Sequence, residues 1–87
     1  MMLFKVHART EPRDDAMVIE AADGLAAARV YAALLMRRDA EQLGAFAFPT
    51  DYRLLVRVPG GGSVEYTALV DLDADSGTWV AIVRRPG

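Results

Sequence analysis

The chain contains no cysteine, which excludes a disulfide framework and any thiolate-based metal or catalytic site. It has a single histidine, His7, and a single lysine among ten basic residues. No apolar run approaches the roughly 20 residues of a membrane-spanning helix, and the N-terminus lacks the long apolar segment of a signal peptide. We therefore expect one cytoplasmic domain over residues 1–87, with no membrane partner.

The alternation of apolar and polar residues predicts five strands, and a longer apolar stretch between the second and third predicts one helix. The strands are predicted at Leu3–Thr10, Ala16–Ala21, Tyr52–Val58, Val64–Val70 and Thr78–Arg84. The helix is predicted to begin after Asp23, a good N-cap, and to end near Leu43, before Gly44. Phe46 and Phe48 are predicted to pack under its end. The fold class is α+β: a β-β-α-β-β-β order, with a single antiparallel sheet and one helix packed on one face.

The predicted helix carries more apolar residues than one core-facing stripe requires. That stripe comprises Leu25, Ala28, Tyr31, Ala32, Leu35 and Met36, while Ala26, Ala27, Val30 and Leu34 lie largely outside it. Val30 and Leu34 are one turn apart and would form a contiguous patch. The alternative is ordinary surface exposure of single apolar residues. The patch favours a second buried surface, formed with a copy of the chain or with a protein partner.

Basic residues share one face of two predicted strands. Strict alternation places Lys5, His7 and Arg9 together on the first strand, and Arg53 and Arg57 together on the third. Such a face would suit phosphates, as in sheet-face RNA-binding modules. Those modules also need a stacking aromatic, and Trp79 would supply it if Val80 and Ile82 faced the helix. The alternative is a solvated sheet face, which the net charge of −2 favours. Whether the two basic sets meet depends on the strand order.

Two motifs resemble known sites without completing them. The acidic turn Asp71–Gly77 begins like a calcium loop, but it lacks the glycine at its sixth position and the glutamate at its twelfth. Gly60–Gly62 lacks the lysine and the following helix of a phosphate-binding loop. His7 has no nucleophile or carboxylate placed beside it by the sequence. We therefore predict no catalytic residue, no metal site and no cofactor.

The layout of two strands, an alanine-rich helix and a three-stranded meander resembles small α+β inhibitor proteins of phages and mobile elements, of the anti-CRISPR type. This resemblance covers most of the chain as architecture and carries no residue across. It implies action without chemistry, by covering a partner surface or a nucleic-acid surface. The stretch EYTALVDLDADSGTWVAI, residues 65–82, also resembles the closing hairpin of PepSY domains. Those domains are commonly extracytoplasmic, which disagrees with the missing signal peptide.

The sequence favours a small non-enzymatic protein-binding module, an inhibitor or adaptor that self-associates through its apolar helix. A nucleic-acid-binding domain that uses a basic sheet face is the alternative, and a small enzyme or accessory subunit is the third hypothesis. The predicted partner-binding residues are Val30, Leu34, Lys5, His7, Arg9, Arg53 and Arg57.

Overall fold

A computed structural model describes residues 1–11, 15–43 and 51–85 of the chain. Its elements are β1 (Met2–Ala8), β2 (Met17–Ala21), α1 (Gly24–Leu43), β3 (Asp51–Arg57), β4 (Ser63–Asp73) and β5 (Thr78–Arg84). The first strand ends before the predicted Thr10, because the Glu11 amide donates to the Ala8 carbonyl, 2.9 Å away, and closes a turn. The predictions made for Gly44, Phe46 and Phe48 lie outside the described residues.

The five strands form one antiparallel sheet in the order β2-β1-β3-β4-β5. β1 therefore lies between its hairpin partner β2 and the more distant β3. The pairs that fix its register are Phe4 with Ile19 and Val6 with Val56. The helix packs on one face of this sheet, so the predicted α+β fold class and element order are confirmed.

The helix-facing side of the sheet holds the core. Phe4, Val6, Leu54 and Val56 are its largest fully buried side chains. All four come from β1 and β3, and each of these two strands is paired with a neighbouring strand on both sides. Full burial of such side chains stabilises the fold by about 1.5–3 kcal/mol each. The opposite side of the sheet, which we call the outer face, has no helix packed on it among the described residues.

The helix begins as the sequence predicts. The Asp23 carboxylate accepts a hydrogen bond from the Ala26 amide at 2.8 Å, as an N-cap should. The predicted stripe is confirmed, since its six residues are buried or packed against the core. The prediction that Ala26 and Ala27 lie largely outside the stripe is wrong, because Ala27 is fully buried and Ala26 packs against the core. The small side chain of Ala27 contributes to this contact. No helix among the described residues combines the length and apolar character needed to cross a bilayer.

Candidate binding surfaces

The strand order brings the two predicted basic sets together on the outer face. β1 and β3 are neighbours, and Lys5 lies directly opposite Arg57 in their register. His7 lies opposite Leu55, and the Arg9 amide donates to the Arg53 carbonyl at 2.8 Å. Residues directly opposite in an antiparallel pair have Cβ atoms about 4.5–5.5 Å apart. The basic residues of the two strands therefore form a single band along the sheet.

The two ends of this band differ in their counter-charges. At one end, the Glu65 Oε1 atom lies 3.4 Å from Arg9 Nη1 and 3.9 Å from Arg53 Nη1. Arg53 Nε also lies 3.8 Å from an Asp51 carboxylate oxygen. At the other end, no carboxylate of the described residues lies within 4.0 Å of the Lys5 or Arg57 side-chain nitrogens. The Arg9–Arg53 end is thus compensated within the protein, and the Lys5–Arg57 end is not.

The uncompensated end opens onto a cavity of about 510 Å³. This volume falls within the range of roughly 300–1,000 Å³ of small-ligand sites. Its lining residues are Leu3, Lys5, Val18, Arg57, Val58, Pro59, Gly60 and Gly61. Leu3 and Val18 are diagonal neighbours on β1 and β2, and they are 58% and 57% exposed. Glu20 stands opposite Leu3, so it is a diagonal neighbour of Lys5 rather than its direct partner. The cavity therefore combines an apolar wall with two adjacent cations.

His7 lies between the two ends of the band and is half-buried. Its Nδ1 atom is 2.9 Å from the Ala8 carbonyl oxygen. Because a carbonyl can only accept a hydrogen bond, Nδ1 carries a proton in this arrangement. This contact fixes the ring on the outer face and leaves Nε2 as the atom available to a partner.

Trp79 does not lie on the outer face, so the condition set for it as a stacking residue is not met. The register pairs Val83 with Ala68 and Trp79 with Leu72, and both Val83 and Ala68 are buried on the helix side. Trp79 therefore points to the helix side, and Val80 and Ile82 point to the outer face. Among the described residues, the outer face carries no aromatic ring other than the His7 imidazole.

The helix patch is exposed as predicted, with 46% of Val30 and 38% of Leu34 accessible to solvent. The area of this patch can be compared with the area that a protein interface buries. A standard interface buries about 800 Å² on each partner, and two partly exposed aliphatic side chains supply only a fraction of that area. An interface built on this patch would therefore need neighbouring residues of the helix as well.

A polar network at the end of the helix was missed at the sequence level. The Tyr52 hydroxyl donates to the Asp39 carboxylate at 2.6 Å, and the Tyr31 hydroxyl donates to Glu11 at 2.9 Å. Arg38 lies 3.6 Å from Asp39 and 3.4 Å from Glu11 and so joins the two pairs. Asp39 is the only buried charged residue among those described. No pattern in the sequence marks such a network, because its members come together only when α1 packs against β3 and against Glu11, which follows β1.

Both tyrosine hydroxyls of this network have a raised pKa. Burial, followed by the hydrogen bond and the charge of Glu11, raises the pKa of Tyr31 to about 12. Burial and Asp39 raise the pKa of Tyr52 even further above its usual range. Both hydroxyls therefore stay protonated at neutral pH, and neither is activated as a nucleophile or base. A cavity of about 390 Å³ adjoins Tyr52 and Asp39, and Arg9, Thr10, Arg38, Asp51 and Arg53 also line it.

The acidic turn is organised by its own side chains. Asp73 accepts hydrogen bonds from the Asp75 amide at 3.1 Å and from the Ser76 hydroxyl at 2.9 Å, and Gly77 follows with φ of 68°. The turn is shorter than the predicted Asp71–Gly77, because β4 extends beyond the predicted Val70 to Asp73 and leaves residues 74–77 to connect it to β5. No cluster of three or more metal-ligating side chains occurs in residues 1–11, 15–43 and 51–85.

Comparison with known proteins gives no relative from which a role for these surfaces could be inferred. Neither protein-family models, nor curated protein sequences, nor solved structures give a match to this chain.

Proposed function

We propose that this protein is a small non-enzymatic binding module that holds an acidic segment of a partner protein against the outer face of its sheet. By covering that segment it would act as an inhibitor or as an adaptor. The observation that carries the proposal is the pair Lys5 and Arg57, which stand opposite each other without a counter-charge beside an exposed apolar wall.

Like charges directly opposite each other on neighbouring strands destabilise a sheet. The protein nevertheless places two cations in that arrangement on the outer face. A carboxylate bound between Lys5 and Arg57 would remove the repulsion and form two charge-assisted hydrogen bonds, which are about twice as strong as neutral ones. The repulsion in the unbound protein therefore adds to the driving force for binding an anion.

The character of the surrounding surface favours a protein over a nucleic acid. Leu3 and Val18 offer apolar contacts next to the cations, which suits a segment that alternates acidic and apolar side chains. Binding of single-stranded nucleic acid relies on aromatic stacking platforms, and the described part of the outer face offers only the His7 imidazole for this. Strong phosphate binding also needs many basic contacts, whereas Glu65 already engages Arg9 and Arg53.

The test measures binding of two fluorescent probes by anisotropy. One probe is a peptide of alternating glutamate and leucine, and the other is a single-stranded oligonucleotide of mixed sequence. The protein variants are Lys5→Gln/Arg57→Gln and, as a control, Arg29→Gln/Arg37→Gln. The control removes the same charge from exposed positions on the helix.

We expect the peptide to bind, the sheet variant to lose at least tenfold in affinity, and the helix variant to match the original protein. Absence of peptide binding, or equal losses in both variants, would overturn the proposal. Tighter binding of the oligonucleotide, with loss in the sheet variant, would also overturn it in favour of a nucleic-acid partner. In that case, the slope of the logarithm of oligonucleotide affinity against the logarithm of salt concentration gives the number of phosphate contacts.

A further inference from the structure

We propose that two copies of this chain pair through their β5 strands, edge to edge and antiparallel, to form one continuous ten-stranded sheet. This inference is independent of the acidic segment proposed above, because it concerns the opposite end of the sheet from Lys5 and Val18. It also assigns self-association to a different surface from the helix patch.

The first observation is the position of β5. It is the last strand of the sheet order, so it pairs with β4 on one side and with no strand on the other side within the described residues. An edge strand presents a row of backbone N–H and C=O groups to which another strand can bond. β5 offers seven residues for this, against five in β2 at the other edge.

The second observation is that β5 lacks the features by which edge strands avoid pairing. Proteins protect edges with charges, prolines, bulges or short strands. The first six residues of β5, Thr78 to Val83, include no charge, no proline and no glycine. Its register with β4 runs through seven consecutive pairs without a bulge. In contrast, the shorter β2 carries Glu20.

The third observation is that β5 is complementary to itself in an antiparallel register centred on Ala81. In that register, Thr78 lies opposite Arg84 of the second copy, so no two like charges face each other. Val80 lies opposite Ile82 on the outer face, where Ile82 is 43% exposed and the pair would bury apolar surface. Trp79 lies opposite Val83 on the helix side, where Val83 is already buried by the helix of its own chain. The two-fold symmetry repeats each pair, which gives the closed interface of a dimer rather than an open fibre.

The surroundings of β5 also leave apolar surface to be covered. Ile82 is 43% exposed on the outer face and Leu72 is 50% exposed on the helix side. A groove of about 560 Å³ runs between the helix and β5; Ala33, Met36 and Ala81 are among its apolar lining residues, and Arg29 and Arg37 also line it. A second strand at this edge would bring its own apolar side chains against both faces of the sheet.

The experiment uses light scattering to measure the mass of the full chain and of two complementary variants. Ile82→Lys places a charge where the register needs an apolar pair, and Val80→Glu does the same with the opposite sign. We expect the original protein to have twice the mass of one 9.5 kDa chain, and each variant alone to have the mass of one. Mixing the variants should restore the double mass, because the introduced lysine and glutamate then face each other.

Val30→Lys/Leu34→Lys on the helix is the control, and it should remain a dimer. A monomeric original protein would overturn the inference, as would a dimer that the helix variant dissociates and Ile82→Lys does not. Failure of the mixture to form the double mass would overturn the Ala81 register. Hydrogen exchange of the original protein gives a readout that needs no variant. We expect the β5 amides on the strand's open side to become protected as protein concentration rises, and concentration-independent exchange would contradict pairing.

Discussion

Removing either cation of the Lys5–Arg57 pair should stabilise the unbound protein. Lys5→Gln and Arg57→Gln each eliminate the repulsion while keeping most of the aliphatic side chain. Cross-strand pairs contribute about 0.2–1 kcal/mol. Coulomb's law gives a similar size, about 0.7 kcal/mol for unit charges ~6 Å apart in a water-like dielectric. We therefore expect the free energy of unfolding to rise by about 0.5 kcal/mol in either variant.

The sign of the effect distinguishes this pair from the rest of the basic band. Arg53→Gln removes a cation from the same face, but it breaks contacts with Glu65 and Asp51. Exposed ion pairs of this kind contribute about 0.2–1 kcal/mol, so this variant should be destabilised by that amount or unchanged. Arg29→Gln on the helix controls for the change in net charge, and we expect almost no effect from it.

Urea denaturation at low salt and in about 1 M salt provides the measurement. Screening shortens the Debye length from about 30 Å at 0.01 M to about 3 Å at 1 M, so the gain in Lys5→Gln should largely disappear at high salt. In a double-mutant cycle, the second substitution should add little, because the first already removes the repulsion. Destabilisation by Lys5→Gln, or a gain that persists in 1 M salt, would refute the reasoning.

Three further effects follow from the fold. Tyr52→Phe leaves the buried Asp39 carboxylate without its hydroxyl partner and should lower the free energy of unfolding by about 1–3 kcal/mol in urea denaturation; a change near zero would show that water replaces the hydroxyl. Gly77→Ala should cost about 1 kcal/mol because φ there is 68°, whereas Gly62→Ala, with open space around its Cβ position, should be neutral or slightly stabilising. The pKa of Tyr31 is raised from 10.0 to about 12 in the folded protein, so the stability it contributes is complete below pH 10 and is lost as the pH rises toward 12. Ultraviolet absorbance should show its phenolate forming later than that of free tyrosine, and ionisation at the ordinary pH would contradict the buried hydrogen bond.

The sequence predicts the elements and the faces of the central strands well, because their alternation is strict. Phe4, Val6 and Ala8 all face the helix, as do Leu54 and Val56. Local chemistry was equally informative at Asp23, whose side chain caps the helix as expected. These features depend on residues a few positions apart, and local geometry determines them.

The order of the strands in the sheet cannot be derived from local patterns, and it determines which residues meet at the candidate site. The alternation in β1 places Lys5 on the outer face, but it does not say which strand lies beside it. The connection from β2 through the helix could return β3 to either edge of the first hairpin. Only the observed adjacency of β1 and β3 sets Lys5 against Arg57. The Tyr52–Asp39 contact was missed for the same reason, since it joins a strand to a helix.

Trp79 shows a second limit of pattern reading. β5 has apolar residues on both faces, with Ala81 and Val83 on one and Val80 and Ile82 on the other. The alternation of its residues therefore does not indicate which face points toward the helix. The pairing of Val83 with the buried Ala68 decides the orientation. The tryptophan is thereby directed to the helix side, and the prediction of a nucleic-acid stacking surface loses its aromatic residue.

The apolar surface left at the ends of the sheet has a geometric cause. Five strands spaced about 4.8 Å apart span about 19 Å between the outermost strand axes, whereas one helix is about 10 Å across with its side chains. The helix therefore covers only part of each strand. It buries Leu54 and Val56 at the middle of the sheet, Ile19 and Ala21 on β2 and Val83 on β5, and it leaves one end of each edge strand open. At the margins, Met17 on β2 and Leu72 beside β5 are 44% and 50% exposed, although both lie on the helix side. The margin at β2 is short and carries Glu20, while the margin at β5 is longer and uncharged over six residues. Apolar surface is thus exposed at both edges of the sheet, but only β5 is long and uncharged enough to pair. We therefore expect a second copy to pair at β5 alone.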